Sequence, residues 1–129
     1  MSDAARRSLE PEGRKVMLLV EDDPFVRMVT ADYFREAGFL VIEALDAAEA
    51  IQVMSQTEID VVFTDIRMPG EMSGSHLAIW INERHKGLPV LITSGVFAGT
   101  RYPLAKNFFP KPYRLDAVHK RVLEVLDEA

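Results

Sequence analysis

The chain has no cysteine in its 129 residues. Disulfide frameworks and thiolate metal sites are therefore excluded, and the lack fits a reducing compartment. No apolar run approaches the roughly 18 residues needed to cross a bilayer. The first fifteen residues mix charges and have no apolar stretch, so they are not a secretory signal. Basic excess is missing too: 15 Lys and Arg stand against 20 Asp and Glu, for a net charge of −5. A sequence-independent nucleic-acid binder needs a basic face, and this composition does not supply one. Neither a P-loop nor G-x-G-x-x-G is present, which removes the common nucleotide cradles. There is no internal repeat and no linker, and the length suits one domain with one core.

What is present is alternation. Residues 1–14 are polar, with Pro11 and Gly13, and read as a flexible tail; 15–129 read as the domain. Val16 to Val20 is a short apolar run of the kind that forms a buried strand. Glu21-Asp22-Asp23 follows, and Pro24 suits the first turn of a helix. Val26, Val29, Tyr33 and Phe34 then recur at helical spacing, and Gly38 stands where a C′ glycine belongs. Phe39 to Ala44 reads as a second strand. Asp46 is a good N-cap with Glu49 three residues on, close to a capping box, and Ala47, Ala50, Ile51 and Met54 line one helical face. Ile59 to Thr64 is a third strand, ending on Asp65 and turned away by Met68-Pro69-Gly70. Leu77, Trp80 and Ile81 mark a third helix that ends near His85-Lys86-Gly87.

Val90 to Thr93 is a fourth strand, leading to Ser94-Gly95. Residues 96–106 contain Gly99 and Pro103 and leave room for only one or two helical turns. Asn107 to Pro110 is a short fifth strand, then Lys111-Pro112-Tyr113. Leu115, Val118, Val122, Val125 and Leu126 trace a last amphipathic helix. Strands alternating with helices argue an α/β parallel sheet covered on both faces. Right-handed crossovers favour the doubly wound, flavodoxin-like order 2-1-3-4-5, with a shortened or irregular fourth helix.

In that order the strand ends gather polar groups: Glu21 and Asp22 from strand 1, Asp65 from strand 3, Ser94 from strand 4 and Lys111 from strand 5. Asp65 alone would read as a turn-starting carboxylate. Polar groups clustered at one edge of an otherwise apolar sheet point instead to a site. Three carboxylates at ~4 Å and an effective dielectric of ~20 would repel by roughly 4 kcal/mol per pair. Lys111 offsets one charge, and a divalent cation offsets the other two. Hard oxygen ligands with open positions suit Mg²⁺ or Mn²⁺. With that cation, Asp65 becomes a feasible phosphoryl-accepting nucleophile, and the Ser94 hydroxyl a donor to the added group. Asp23 reads as solvated charge at a helix start. His76, His85 and His119 lie outside the cluster and read as surface histidines, while Trp80 reads as core or core edge.

LLVEDD at 18–23, FTDIRMPG at 63–70, PVLITSG at 89–95 and FFPKPY at 108–113 together resemble the receiver domain of two-component response regulators, in its chemotaxis-regulator-like, single-domain form. The resemblance covers about residues 15–128. It implies that Asp65 is the phospho-acceptor and that Glu21 and Asp22 are the acidic pair, Asp22 being the direct Mg²⁺ ligand. It assigns the backbone carbonyl of Arg67 to the metal, Ser94 to the switch hydroxyl, Lys111 to the lysine of the site, and Phe108 to the aromatic switch position. A cis peptide before Pro112 is implied as well. The implied phosphodonor is a histidine kinase or histidine phosphotransfer protein, in the cytoplasm, with no direct DNA or membrane binding and no enzymatic turnover beyond the domain's own phosphoryl transfer.

Three departures stand out. The loop Met68 to Gly74 has one extra residue and Ser73 in place of Asp. The stretch from Ser94 to Lys111 is short, and Phe108 lacks the hydroxyl that the family often has. No effector domain is expected after residue 129, so the expected output is a protein surface or onward relay of the phosphoryl group. A receiver-fold scaffold that is never phosphorylated remains an alternative. An aspartate-nucleophile phosphatase wants a second acid where Arg67 stands, and a flavin carrier wants a Ser/Thr/Gly-rich loop where Glu21-Asp22-Asp23 stands.

Overall fold

A computed structural model describes residues 13–66, 74–94 and 107–128. Most of the expected tail, Arg67, the altered loop as far as residue 73 and the shortened fourth helix lie outside the described residues.

Five strands form one parallel sheet: β1 (Val16–Val20), β2 (Leu40–Ala44), β3 (Val61–Asp65), β4 (Val90–Ser94) and β5 (Phe108–Pro110). Their order is β2-β1-β3-β4-β5, all neighbours parallel, as the alternation predicts. Among the described residues four helices cover it: α1 (Pro24–Glu36), α2 (Ala47–Met54), α3 (Gly74–Arg84) and α4 (Leu115–Glu128). No described helix is long and apolar enough to cross a membrane.

The strand period of two sorts the core. Met17, Leu19, Val61, Phe63 and Leu91 point to one face, where they pack with Phe34 of α1 and Val118, Val122 and Val125 of α4. Leu18, Val20 and Val62 point to the other, against Ala47, Ala50 and Met54 of α2 and Leu77 and Ile81 of α3. Trp80 packs at the edge of that second layer, under the Arg84 guanidinium at 5.4 Å.

The helix ends follow local sequence chemistry. Asp23 caps α1: its Oδ1 accepts from the Phe25 and Val26 N–H groups at 2.9 and 3.1 Å, and Pro24 fills the first helical position. The far end is a Schellman motif. Gly38 takes φ +102°, its N–H donates to Arg35, and the Phe39 N–H donates to Phe34. The rings of Phe34 and Phe39 meet edge-on at 5.6 Å, the hydrophobic contact that accompanies this motif. Asp46 caps α2 by accepting the Glu49 N–H at 2.8 Å. Glu49 reaches back to the N–H of Leu45, not of Asp46, so the box is displaced by one residue.

Two expectations need correction. The buried stripe of α1 is Thr30, Ala31 and Phe34, whereas Val29 is exposed and Val26 half-buried. Thr30 can face inward because its hydroxyl shares a hydrogen bond with Tyr113 Oη at 3.2 Å. Val26 and Val29 instead form an apolar groove with Phe25, Pro112, Tyr113 and Leu115. His119 is not simply a surface residue. It is half-buried between α1 and α4, 3.1 Å from Tyr33 Oη and edge-on to Tyr33, Phe34 and Phe39.

A Cβ built on Gly38 would meet nothing within 4 Å, so only its backbone conformation demands glycine. Gly38→Ala is expected to lower stability by about 1–2 kcal/mol, the cost of a left-handed L-residue. Urea unfolding checks this; an unchanged midpoint would show that the turn is not locked.

Candidate functional site

Register brings the acids together. Val20 lies opposite Ala44 on one side and Thr64 on the other, so the next residues, Glu21 and Asp65, stand side by side at the tip of the sheet. The same period that turns Leu19 and Phe63 toward the α1–α4 layer carries Glu21 and Asp65 to that face. Both are buried, at 2% and 4% exposure. Asp22 is exposed at the mouth. Carboxylate oxygens of Glu21, Asp22 and Asp65 all lie within 4.8 Å of one another.

Lys111 bridges the buried pair. Its Nζ donates to Glu21 Oε1 at 2.8 Å and to Asp65 Oδ2 at 2.7 Å. The backbone directs it there: the Lys111 N–H donates to the Ser94 carbonyl at 2.9 Å, extending the β4–β5 pairing by one residue. The Lys111–Pro112 peptide is cis, as the resemblance implies. Tyr113 follows, anchored by Thr30 and packed edge-on against Phe63 at 5.3 Å. Burial pushes the Tyr113 hydroxyl above its usual range, only partly opposed by the Thr30 bond.

Burial also pushes the Glu21 carboxyl up. The Lys111 and Asp23 hydrogen bonds work against that rise, and the neighbouring Asp65 charge adds to it. For Lys111, burial favours the neutral amine, but hydrogen bonds to Asp65 and Glu21 outweigh it, and the ammonium is held above its ordinary range. The stability it contributes is complete below the ordinary lysine value and fades only as pH climbs through the raised one. Lys111 is thus a fixed cation across the neutral range. By formal charge, three carboxylates and one ammonium sum to −2 in the pocket.

The sequence-derived cluster is therefore brought together for Glu21, Asp22, Asp65 and Lys111. Ser94 is buried at the end of β4, and its carbonyl is tied to Lys111. Phe108 opens β5 half-buried, opposite Ile92. Arg67 lies beyond the described residues. Asp23 has no place among the clustered oxygens; it is exposed at the start of α1, as expected, and also serves as its cap.

Sequence reasoning missed two supporting groups. Arg27 donates to the Glu21 carbonyl at 2.8 Å, and to Glu43 Oε1 at 3.2 Å. The signal was a carboxylate, Glu43, inside the otherwise apolar run of β2. Asp60 was also passed over: its Oδ2 accepts the Val16 N–H at 2.7 Å and fixes the start of β1.

Comparison with known proteins agrees with this geometry. Residues 17–123 match the response regulator receiver domain. The sensor kinase CckA of Brucella abortus (strain 2308) is 32% identical over 129 residues, covering 95% of this chain and 14% of the kinase. The solved receiver domain of the hybrid histidine kinase CckA aligns with a TM-score of 0.70 at 33% identity, covering 86% of this chain and 98% of that one. The response regulator TrrA of Thermotoga maritima, solved in complex with Mg²⁺-BeF, gives a TM-score of 0.77 at 25% identity, with 86% and 98% covered. The chain spans between 11% and 26% of the length of the curated relatives it matches. On sequence and fold together, it belongs to the response regulator receiver domains of two-component signalling systems.

Proposed function

We propose that Asp65 accepts a phosphoryl group from a phosphohistidine on a histidine kinase or histidine phosphotransfer protein, and that the charge added at the sheet tip is the signal. Residues 15–129 form the unit that carries this reaction. The observation supporting it most directly is the Lys111 ammonium seated between buried Glu21 and Asp65, in a pocket that is still two charges negative. Carboxylate oxygens are hard ligands, and that charge deficit fits Mg²⁺ or Mn²⁺. Glu21, Asp22 and Asp65 would hold the ion, with the Arg67 carbonyl a further ligand in this reading. Once bound, it supplies positive charge against the oxygens of the transferring group. A relative solved with Mg²⁺-BeF supports the same cation here.

An Asp65 oxygen attacks phosphorus, the P–N bond to the donor imidazole breaks, and the leaving nitrogen keeps the electron pair and takes a proton. Lys111 neutralises charge on the phosphoryl oxygens. It is already oriented by two carboxylates, so little reorganisation is needed. The buried Ser94 hydroxyl donates to a phosphoryl oxygen once that group is in place, and Phe108 follows the repacking around it. The signal passes by contact between proteins or by onward transfer of the group to a second histidine.

Incubation with an acyl phosphate and Mg²⁺ is expected to add one phosphoryl group, read by mass spectrometry. Asp65→Asn should gain none, and chelation should stop the reaction. Wild-type protein of unchanged mass would overturn the assignment.

Replacing Lys111 leaves two buried carboxylates without their cation. Lys111→Met is expected to lose about 3 kcal/mol, the low end for breaking a buried pair, because the lysine itself is 23% exposed. Saturating Mg²⁺ should restore more stability to this variant than to wild type, measured by urea unfolding with and without the ion. Equal gains in the two proteins would argue that Lys111 does not compensate the pocket.

A further inference from the structure

Arg27 lies one turn into α1, and only 16% of its side chain is exposed. Its Nη1 donates to the Glu21 carbonyl at 2.8 Å, and its Nε donates to Glu43 Oε1 at 3.2 Å. Arg35 holds the other Glu43 oxygen at 3.1 Å and also donates to the Val41 carbonyl at 2.8 Å. Glu43 is thus clamped from both sides and gives Arg27 a fixed foothold on β2. The Glu21 N–H donates to the Ala44 carbonyl at 3.1 Å. Both backbone polar groups of Glu21 are therefore tied to β2, one directly and one through the guanidinium.

This matters because β1 ends at Val20, and the pairing with β2 reaches past it through the Glu21 N–H, while the Glu21 carbonyl is held by Arg27. Glu21 must leave the strand with its side chain aimed at Asp65, while Asp22 turns to the mouth. The Asp23 N–H donates to Glu21 Oε2 at 3.2 Å, so the carboxylate itself depends on the path of this turn. A planar fork can hold a carbonyl and a carboxylate at once; an ammonium on a flexible stem does this poorly.

We propose that Arg27 is a positioning residue for the acidic pair: by tying the Glu21 carbonyl to Glu43, it sets the turn that brings Glu21 and Asp22 to the cation. This rests on the reading of the cluster as a Mg²⁺ site. Two effects of removing Arg27 have opposite signs. Loss of a nearby positive charge would by itself tighten cation binding. Loss of the tether loosens it, as changes to groups that orient metal ligands do, by about ten- to a hundredfold.

The test is calorimetric titration of Mg²⁺ into the full chain, wild type against Arg27→Met, with amide hydrogen exchange on the metal-free proteins. The tether requires Mg²⁺ binding weaker by at least about tenfold. It also requires faster exchange at Asp22 and Asp23, with Val62 and Phe63 of β3 unchanged. Phosphorylation by an acyl phosphate should need more Mg²⁺ but reach the wild-type rate at saturation. Arg27→Met that binds as tightly as wild type, or more tightly, would overturn the inference, as would unaltered exchange in the turn. If Arg27→Met does not fold, Arg27→Lys decides: it keeps the charge but not the fork, so weaker binding supports the tether and wild-type binding refutes it. Wild type that takes up no Mg²⁺ would sink the proposed site and this inference with it, whereas binding that is equal in wild type and variant sinks the tether alone.

Discussion

Two carboxylates buried side by side at the end of a sheet cannot both stay ionised at low cost without a cation between them. The Lys111 ammonium supplies it, and the geometry around the site follows from keeping it in place. Its two partners, Glu21 and Asp65, lie 90 and 46 positions before it in the chain, so β1, β3 and the end of β5 are tied at one point. Its backbone continues the β4 pairing, and the next residue but one, Tyr113, is pinned to α1 through Thr30. A charge held by that many constraints has little conformational freedom left to lose.

The same site depends on register. Odd residues of β1 and β3 face the α1–α4 layer, and even residues face α2 and α3. A slip of one residue in β3 would carry Asp65 to the opposite face and Phe63 with it. The apolar pattern therefore aims the acids as well as filling the core. Residues that never meet a ligand, such as Leu19 and Val61, fix which way Glu21 and Asp65 point.

Much of this was legible in the chain for physical reasons. β1 is apolar throughout and is followed by Glu21, and β3 is apolar as far as Phe63 and ends on Asp65, so both the strands and the polar ends were evident. Pro24, Gly38 and Asp46 carry local preferences strong enough to place helix ends without tertiary help. What could not be read depended on distant partners. Thr30 is polar and was not among the apolar residues counted on α1, and its inward turn depends on Tyr113, 83 residues away. His119 gained its packed position from Tyr33, 86 residues away. Glu43 passed for part of an apolar strand because its worth appears only when α1 delivers Arg27 and Arg35 to its two oxygens. In each case the helix or strand itself was read correctly, and the side chain's orientation was decided by a contact that spacing does not encode.

The energetics of the pocket differ from those of the rest of the molecule. Among the described residues no buried side-chain nitrogen or oxygen lacks a partner. The tip of the sheet is satisfied in hydrogen bonds yet unbalanced in charge: burial and the Asp65 charge raise the Glu21 carboxyl even with Lys111 in contact. A fold selected for stability alone would relieve this by replacing Glu21 or Asp65 with an apolar residue, since well-packed hydrophobic groups commonly match or exceed buried ion pairs. Instead the imbalance is concentrated at the sheet tip where the chain leaving β1 passes to α1 on one face and the chain leaving β3 passes to α3 on the other. Local conflict of that kind is expected where function resides. Two apolar layers supply the stability that lets the sheet tip keep this cluster of carboxylates.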